Sequence, residues 1–373
     1  MSNTMKKLGF GLMRLPRLAA PEEGKNPIDI EQVKQMVDVF MDAGFTYFDT
    51  AWAYDWSEDA IRQALVERYP RESYQLATKC AAWIECKTRE DAIAQFESSL
   101  ELTQAGYFDN YLLHNLGTPR TDAFDKFDLW NYFAEQKERG LIKHLGFSFH
   151  STPEELDKIL TDHPEMEFVQ IQLNYADWES GSIQAGANYE VCRRHGKPVI
   201  VMEPVKGGLL ATPPQPVADV FKAAKPDASL ASWAIKFAAD LPGVMVVLSG
   251  MSSLEQMKDN VAEMKDFTGL TDEERAVVEK ARETLAGIPV VPCTTCNYCA
   301  KVCPQNIAIS GSFNSLNMLT LYGNKEAAKR NLGFALRGKA PASECIECGA
   351  CEDACPQHIA IRDELKRVAE TFE

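Results

Sequence analysis

Short apolar runs alternate with amphipathic stretches through the first three quarters of the chain. Eight runs have the length and composition of buried strands: Leu8–Met13, Phe45–Thr50, Tyr74–Cys80, Asp109–His114, Lys143–Phe149, Glu167–Asn174, Pro198–Pro204 and Val244–Ser249. Stretches with apolar residues at helical spacing lie between them, such as Ile30–Ala43, Glu58–Arg68, Arg89–Leu102 and Asp122–Arg139. Eight strand–helix units predict a (β/α)8 barrel, whose active site would lie at the carboxyl ends of the strands.

A doubly wound parallel sheet is the alternative arrangement of alternating strands and helices. Such a sheet usually carries a glycine-rich phosphate turn after its first strand. Here the segment Gly9-Phe10-Gly11-Leu12-Met13-Arg14 lacks the third glycine and leads into Leu15-Pro16, not into a helix. The barrel is therefore the expected fold.

The last quarter of the chain has a different organisation. The linker Gly287-Ile288-Pro289-Val290-Val291-Pro292 contains two prolines, which stiffen an extended joint. We therefore expect the barrel to occupy residues 1–287 and a small, mainly α-helical domain to occupy residues 288–373. Helices are predicted at Asn314–Tyr322 and Lys325–Arg337, with Gly311, Gly323, Gly333 and Gly338 as glycines that interrupt helical structure.

Eight of the eleven cysteines repeat one spacing in this small domain. The two motifs are Cys293-x2-Cys296-x2-Cys299-x3-Cys303-Pro304 and Cys345-x2-Cys348-x2-Cys351-x3-Cys355-Pro356. In this pattern three thiolates hold one cuboidal cluster, and the fourth, before proline, ligates the other cluster. The spacing predicts two [4Fe–4S] clusters. Cluster I would be held by Cys293, Cys296, Cys299 and Cys355, and cluster II by Cys345, Cys348, Cys351 and Cys303.

Structural zinc and disulfide bonds are the alternatives for these cysteines. Zinc takes four ligands in two pairs, which leaves the third cysteine of each motif unexplained. Cys80, Cys86 and Cys192 lack such spacing and are expected to be ordinary barrel residues. The long insert Gln305–Glu344 between the motifs resembles that of the α-helical ferredoxin domains appended to larger redox enzymes.

The formal net charge of −15 argues against nucleic acid or an anionic membrane surface as the partner. Residues 288–373 contain nine basic and nine acidic side chains, so the acidity lies in the barrel segment. Residues 1–9 contain no apolar leader segment, and no run approaches eighteen apolar residues. These features predict a soluble, cytoplasmic protein.

Four polar residues follow or end three neighbouring predicted strands: Asp49, Tyr54, Lys79 and His114. A buried Lys79 ammonium would lower the pKa of the Tyr54 phenol, and Asp49 would keep Lys79 charged. The phenol would then give a proton to a carbonyl oxygen while a hydride adds to the carbon. His114 would orient the carbonyl or share the proton relay. Each residue alone has an ordinary structural explanation, but the set in this order predicts a catalytic site.

These residues and their neighbours resemble the aldo-keto reductase pattern. The matching segments are Asp49-Thr50-Ala51-Trp52-Ala53-Tyr54, Ser57-Glu58, Ala77-Thr78-Lys79 and Leu112-Leu113-His114-Asn115. The resemblance implies a (β/α)8 barrel, a tetrad of Asp49, Tyr54, Lys79 and His114 with Tyr54 as general acid, and NADPH or NADH as cofactor. The whole chain resembles the branch of the family that carries a C-terminal ferredoxin domain.

The resemblance also implies the dinucleotide contacts. Ser148 and Gln170 match the strand ends that bind the nicotinamide carboxamide, and Met202 stands where an aromatic ring often stacks on nicotinamide. The segment Val246–Ser253 precedes a helix start, a place suited to anions. The residues expected there to contact the adenosine phosphate are Ser249, Gly250, Ser253, Gln256 and Asn260.

This sequence departs from the family pattern at several positions. Phe149 follows Ser148 where asparagine is usual, Ser252 stands where an arginine commonly grips the 2′-phosphate, and Asp55 replaces the glycine after Tyr54. These departures leave the choice between NADPH and NADH open. Arg14 would contact substrate or phosphate, or else form a surface ion pair.

Three functions follow from these features. The first is nicotinamide-dependent interconversion of a small carbonyl or alcohol, in which the clusters either connect the barrel to a redox partner protein or hold the small domain together. The second is a ferredoxin-linked reductase fed by the clusters without nicotinamide. The third is an electron-carrier module of a larger complex with an inactive barrel. Aromatic residues near the strand ends, namely Trp52, Trp83, Phe149 and Trp178, suggest an apolar substrate pocket.

Overall fold

The computed structural model describes residues 6–373 of the chain. Eight parallel strands form a closed barrel in which each strand pairs with its neighbours in chain order and β1 pairs with β8. The strands are β1 (Leu8–Gly11), β2 (Tyr47–Asp49), β3 (Gln75–Cys80), β4 (Phe108–Leu116), β5 (Ile142–Phe149), β6 (Val169–Gln172), β7 (Val199–Met202) and β8 (Val244–Ser249). The predicted (β/α)8 barrel is confirmed.

Side chains from the strands fill the interior of this barrel. One buried cluster joins Tyr47, Ala77, Leu112, Phe168, Ile200, Val246 and Leu248. A second, larger cluster lies between the strands and the surrounding helices. Gly146 on β5 is needed where the strand passes Phe168, because a Cβ there would lie 2.5 Å from the Phe168 carbonyl oxygen. Burial on both faces explains why the strands read as nearly continuous apolar runs.

Helices alternate with the strands, and several begin at capping side chains. They are α1 (Ile30–Asp42), α2 (Ser57–Ile61), α3 (Arg89–Thr103), α4 (Thr121–Lys126), α5 (Leu129–Glu138), α6 (Pro153–Asp162), α7 (Ala185–Arg194), α8 (Gln215–Ala224), α9 (Leu230–Asp240), α10 (Leu254–Met264) and α11 (Asp272–Ala286). Thr88 and Asp91 form a capping box on α3, and Ser253 caps α10 by accepting from Gln256 N.

Some element bounds differ from the predicted ones. The first predicted strand stops at Gly11, and Leu12–Arg14 forms a 3-10 turn. The predicted helix over residues 122–139 is two helices, because Asp128 adopts a left-handed conformation (φ 52°) that interrupts the hydrogen-bond ladder. The predicted helix over residues 58–68 continues from α2 as a π-turn at Arg62–Val66. Tertiary packing sets these breaks, so helical spacing alone does not locate them.

The chain divides into two compact units. One comprises the residues up to Glu179 together with Ile183–Gly208 and Ala231–Arg275. The other comprises Ser180–Ser182, Leu209–Leu230 and Ala276–Glu373. The boundary between residues 287 and 288 remains a prediction.

The C-terminal part of the second unit is helical, with its own apolar core. Its helices are α12 (Tyr298–Val302), α13 (Ile309–Tyr322), α14 (Lys325–Ala335), α15 (Ala350–Asp353) and α16 (Ile361–Phe372). Gly333 lies inside α14 and does not interrupt it as predicted, and the same is true of Gly311, which lies inside α13. A Cβ at this position would collide with Ala335 of α14, so the glycine allows the two helices to approach closely.

Within residues 6–373, no helix combines the length and apolar character that crossing a membrane requires. The predicted absence of a leader segment rests partly on residues 1–5, which lie outside the described residues.

Candidate active site and cluster pockets

Three of the four predicted catalytic residues are joined around one buried ammonium group. Lys79 on β3 is completely buried, and its Nζ donates to Asp49 Oδ1 at 2.6 Å and to the Thr50 carbonyl oxygen at 2.6 Å. The same nitrogen lies 3.4 Å from the Tyr54 hydroxyl. Asp49 ends β2 and Tyr54 follows in the next loop, so adjacent strand ends bring the three side chains together.

His114 completes the group from β4. Its ring lies edge-on to that of Tyr54, with 5.8 Å between the ring centroids and 83° between the planes. Trp83 contacts the other side, where its Nε1 donates to the His114 carbonyl oxygen at 2.9 Å. His114 Nδ1 is buried and has no partner within residues 6–373. The imidazole thus lies beside the phenol, and the hydrogen-bonding capacity of its Nδ1 is unused within the described residues.

Burial controls the protonation of this group. Burial alone would lower the pKa of Lys79, but the adjacent Asp49 and Tyr54 raise it above its ordinary value and keep the ammonium charged. Burial, with a smaller contribution from Lys79, holds the pKa of His114 well below its usual range, so the imidazole is neutral.

Lys79 acts on the Tyr54 pKa in the expected direction, but it does not set the net shift. Lys79 does lower the pKa of the phenol, but burial has the larger effect and raises it above its ordinary value. A sequence pattern shows which charges are close, but it does not show how completely water is removed from them.

The residues expected around the nicotinamide lie on three neighbouring strands. Ser148 on β5 is paired in register with Gln170 on β6, and Gln170 Nε2 lies 3.7 Å from the Met202 sulfur on β7. Gln170 Oε1 is buried without a partner among the described residues. Asn115 was missed as a site residue: its backbone N donates to Ser148 Oγ at 2.7 Å, and its buried Oδ1 has no partner within the described range. Its position directly after His114 was the available signal.

The residues expected at the adenosine phosphate surround the turn between β8 and α10. Ser249 Oγ accepts from Asn260 Nδ2 at 2.9 Å, and Gln256 Oε1 accepts from Ser252 N at 2.7 Å. Ser253 caps α10 through its hydroxyl. The polar atoms of Asn260 and Gln256 therefore stabilise the turn. The exposed N-terminus of α10 remains available to bind an anion.

The cationic side chains considered for this site differ in whether they form ion pairs with carboxylates. Arg14 lies against Gly250, and its NH2 group lies 3.2 Å from Glu203 Oε1, with about half of the arginine side chain exposed. Lys206 is tied to the buried carboxylate of Asp177. Lys258 on α10 is exposed and makes no ion pair within residues 6–373.

The aromatic residues expected around the substrate do not form one ring. Trp83 lies beside His114 as described. Trp52 donates from Nε1 to Ser98 Oγ, and Trp178 packs on Tyr189 and Phe237. Phe149 is buried in the core of β5, so its expected contact with substrate is wrong, because the strand alternation turns its ring outward against Phe147.

Glu58 is a second residue whose role the sequence left unassigned. Its buried carboxylate accepts from Thr78 Oγ1 at 2.6 Å, one residue before Lys79. Burial raises the pKa of Glu58, and Thr78 partly offsets that effect. This contact fixes β3 directly beneath the ammonium group.

The motif cysteines line two separate pockets. One is lined by Cys293, Cys296, Cys299 and Cys355, and the other by Cys303, Cys345, Cys348 and Cys351. Each pocket thus receives three cysteines from one motif and the fourth from the other motif, and all eight thiols are free of disulfide bonds. Four thiol donors around a small apolar-walled space fit a [4Fe–4S] cluster in each pocket.

Two family models match separate parts of the chain. The model for the "Aldo/keto reductase family" matches residues 7–283, and the model for a "4Fe-4S dicluster domain" matches residues 292–360. A closed parallel barrel with a buried Asp49–Lys79 pair beside Tyr54 at its strand ends agrees with the first match. The chain belongs to the aldo/keto reductase family and carries a C-terminal 4Fe-4S dicluster domain.

Similar proteins include both curated sequences and solved structures. The chain is 28% identical to "Protein REDOX 2" of Catharanthus roseus over 177 residues, which cover 41% of this chain and 53% of that protein. It is 26% identical to an aldo-keto reductase of Mycolicibacterium smegmatis over 160 residues, covering 43% of this chain and 51% of that protein. The chain thus spans about half the length of these relatives.

The structural neighbours cover the barrel. An aldo-keto reductase of Bacillus halodurans in its holo form superposes with a TM-score of 0.57 at 25% identity, covering 74% of this chain and 91% of that one. An aldo/keto reductase of Klebsiella pneumoniae in complex with NADP and acetate gives 0.57 at 22% identity, with coverage of 74% and 91%. These superpositions support the barrel fold.

Proposed function

We propose that the barrel interconverts a small-molecule carbonyl and its alcohol with a nicotinamide dinucleotide. The observation that carries this proposal is the completely buried Lys79 ammonium, held between Asp49 and Tyr54 at a strand end. Burying such a charge is costly unless it is paired, and an arrangement of this kind is concentrated at catalytic sites.

Tyr54 is the proton donor in this proposal. A dihydronicotinamide, when bound, would supply a hydride to the carbonyl carbon. The Tyr54 hydroxyl gives its proton to the carbonyl oxygen. The raised pKa of Tyr54 keeps the phenol protonated at neutral pH. Lys79 then stabilises the phenolate that remains, and neutral His114 orients the carbonyl oxygen.

The dinucleotide would be held at two places. The unpartnered Gln170 Oε1 and Asn115 Oδ1 suit the two N–H donors of a carboxamide, with Ser148 between them. Asn115 would thereby replace the asparagine that is lacking at Phe149. The phosphates would lie at the N-terminus of α10, beside Ser253.

We propose further that the C-terminal domain holds two [4Fe–4S] clusters and transfers single electrons. The division of the eight cysteines into two pockets, each with three from one motif and one from the other, supports this. Hydride transfer does not require such clusters. The two pockets therefore favour a second candidate function, in which the clusters exchange electrons with a redox partner protein and with the barrel. Clusters and free thiols suit a reducing compartment such as the cytoplasm.

Replacing the Tyr54 hydroxyl tests the proposed chemistry. Tyr54→Phe should lower the turnover of an aromatic aldehyde with NADPH by about 10²–10⁴-fold, because general acid catalysis is lost. The dissociation constant of NADPH, measured by fluorescence quenching, should stay unchanged. Tyr69→Phe is the matched control, because it removes a hydroxyl bonded to Asp38 on the barrel exterior. Near-normal turnover by Tyr54→Phe would contradict the proposal.

A further inference from the structure

The basic residues of the C-terminal domain fall into two groups that differ in their partners. After residue 341, Arg362, Lys366 and Arg367 each bind a carboxylate, at 2.8 Å from Glu352, 3.1 Å from Glu347 and 2.6 Å from Glu364, respectively. These pairs neutralise positive charge within the domain.

The basic residues between residues 288 and 341 have no such partners within the described part of the chain. This set, which we call the basic face, comprises Lys301, Lys325, Lys329, Arg330, Arg337 and Lys339. All six side chains are exposed, and none forms an ion pair with a carboxylate within residues 6–373. Between residues 288 and 341 the sequence contains one acidic residue, Glu326, so the net charge of this segment is six minus one, or +5. The remainder of the chain therefore has a net charge of −20.

Two exposed aromatic rings accompany the basic face. Phe334 on α14 is 63% exposed, and the Arg337 guanidinium lies 4.7 Å from its ring centroid. Tyr298 on α12 is 53% exposed, with Lys301 Nζ 5.6 Å from its ring centroid. Exposed aromatic and arginine side chains are enriched at protein interfaces, whereas a surface that serves only solubility does not require them.

The basic face is directly connected to the cluster pockets. Tyr298 and Lys301 lie within the first cysteine motif, on either side of Cys299. Lys339 lies beside the segment that follows Cys303, because Asn306 Nδ2 donates to the Gly338 carbonyl oxygen at 3.1 Å.

Helix α13 links α14 to both pockets. Phe313 lines the pocket of cluster I, and Ile309 lines the pocket of cluster II. The α14 helix packs on α13 where Ala335 contacts Gly311. Ser315 Oγ on α13 also donates a hydrogen bond to Asn331 Oδ1 on α14 at 2.9 Å. One helix layer thus separates the cations of α14 from the cysteines.

We propose that the basic face and its two aromatic rings dock an acidic one-electron carrier protein that exchanges electrons with the clusters. The proposal rests on the proposed electron-transfer function of this domain. The six cations of the basic face, on a chain that is otherwise strongly acidic, would orient this face, and not the rest of the protein, toward an acidic partner. A long nucleic acid is a poorer fit, because the remaining −20 charge would repel it.

The test measures electron transfer to the full-length, cluster-loaded protein from a reduced, small acidic [4Fe–4S] ferredoxin. The second-order rate constant is followed anaerobically by stopped-flow absorbance. Lys325→Glu/Lys329→Glu should lower it by about tenfold or more at low salt. The wild-type rate should fall as ionic strength rises from about 0.01 M to about 0.15 M, where the screening length shortens from about 30 Å to about 8 Å. The variant should lose most of this salt dependence.

The matched control is Lys265→Glu/Lys280→Glu, which makes the same charge change at two exposed lysines without an ion pair within the described chain. The control should keep the wild-type rate within about twofold, since its charges lie outside the basic face. Basic cytochrome c, used as an oxidant of the reduced protein, should not be slowed by the Lys325→Glu/Lys329→Glu change.

Several results would overturn the proposal. Equal losses in the variant and the control, or a wild-type rate independent of salt, would show that the basic face does not guide docking. Salt-sensitive binding of transfer RNA that is abolished by Lys325→Glu/Lys329→Glu, with ferredoxin transfer unaffected, would assign the face to nucleic acid. If wild-type clusters form but no carrier reduces them at any salt concentration, the electron-transfer function itself fails.

Discussion

Removing the Lys79 ammonium would leave the Asp49 carboxylate buried without its charged partner. Lys79→Met keeps the length of the side chain but deletes the donor to Asp49 Oδ1 and to the Thr50 carbonyl oxygen, both at 2.6 Å. Asp49 is 2% exposed, and its Oδ2 already lacks a partner within residues 6–373. In the variant, the Asp49 carboxylate would therefore be buried without solvation by water.

The expected cost is large because both charges are buried. Breaking one side of a buried ion pair typically costs about 3–5 kcal/mol, whereas replacing both partners is often close to neutral. We therefore expect Lys79→Met to lower the free energy of unfolding of the barrel by about 3–5 kcal/mol at pH 8. The double variant Asp49→Asn/Lys79→Met should lose about 2 kcal/mol or less, since it leaves no unpaired charge.

The loss in the single variant should depend on pH. Burial raises the pKa of Asp49, so the folded variant holds a proton at pH values where the unfolded chain has released it. Binding of that proton to Asp49 raises the free energy of unfolding at acid pH. This stabilisation is lost as the pH rises through the pKa of Asp49 in the folded state. Over that window each unit of acidification should restore about 1.4 kcal/mol to Lys79→Met, while the double variant should show no such recovery.

Urea unfolding under anaerobic conditions measures these differences. All six tryptophans lie between Trp52 and Trp233, in the unit that contains the strands, so tryptophan fluorescence follows the barrel and not the C-terminal domain. Midpoints and slopes at pH 5.5, 7 and 8 give the free energies of unfolding. Equal losses in the single and double variants, with no dependence on pH, would refute the reasoning.

Three further predictions concern the clusters, the cofactor and the pH profile. Anaerobically purified protein should contain about eight iron atoms per chain, and Cys303→Ala should perturb cluster II but not cluster I in electron paramagnetic resonance spectra; about four iron atoms, or zinc, would contradict the assignment. Because Ser252 replaces the phosphate-binding arginine and Lys206 is tied to Asp177, dissociation constants of NADPH and NADH should agree within about tenfold, or ~1.4 kcal/mol. A hundredfold preference that disappears in Lys258→Met would show that Lys258 binds the phosphate. Since the pKa of His114 is lowered and that of Tyr54 is raised, the turnover number for carbonyl reduction should stay flat between pH 6 and pH 9, whereas an inflection near pH 6.5 would show that His114 titrates.

The barrel was predictable because parallel strands buried on both faces leave a strong apolar signal. The tetrad was predictable for a related reason: once the strands are placed, the barrel topology brings Asp49, Lys79 and His114 to adjacent strand ends. The pairing of cysteines into pockets followed from their spacing alone. In each case local sequence and topology sufficed.

Other features depend on packing that the sequence pattern does not contain. Asp128 interrupts a helix whose apolar spacing continues past it. Gly311 was expected to interrupt a helix, but it lies inside α13, and a glycine is needed there because Ala335 of α14 packs closely against it. The pKa of Tyr54 is set by removal of water, which outweighs the neighbouring charge of Lys79. The Asn115 amide lies beside Ser148 only because β4 and β5 run side by side.

The transfer of deuterium tests the central claim most directly. The wild-type protein, with its clusters in place, is mixed in ordinary water with dihydronicotinamide dinucleotide deuterated at the transferred position and an aromatic aldehyde. The alcohol should carry one deuterium on its carbinol carbon by mass spectrometry, and Tyr54→Phe should form the same labelled product far more slowly. Formation of unlabelled alcohol from pre-reduced clusters, with no consumption of the dinucleotide, would contradict the account and show that the clusters supply the electrons to the barrel.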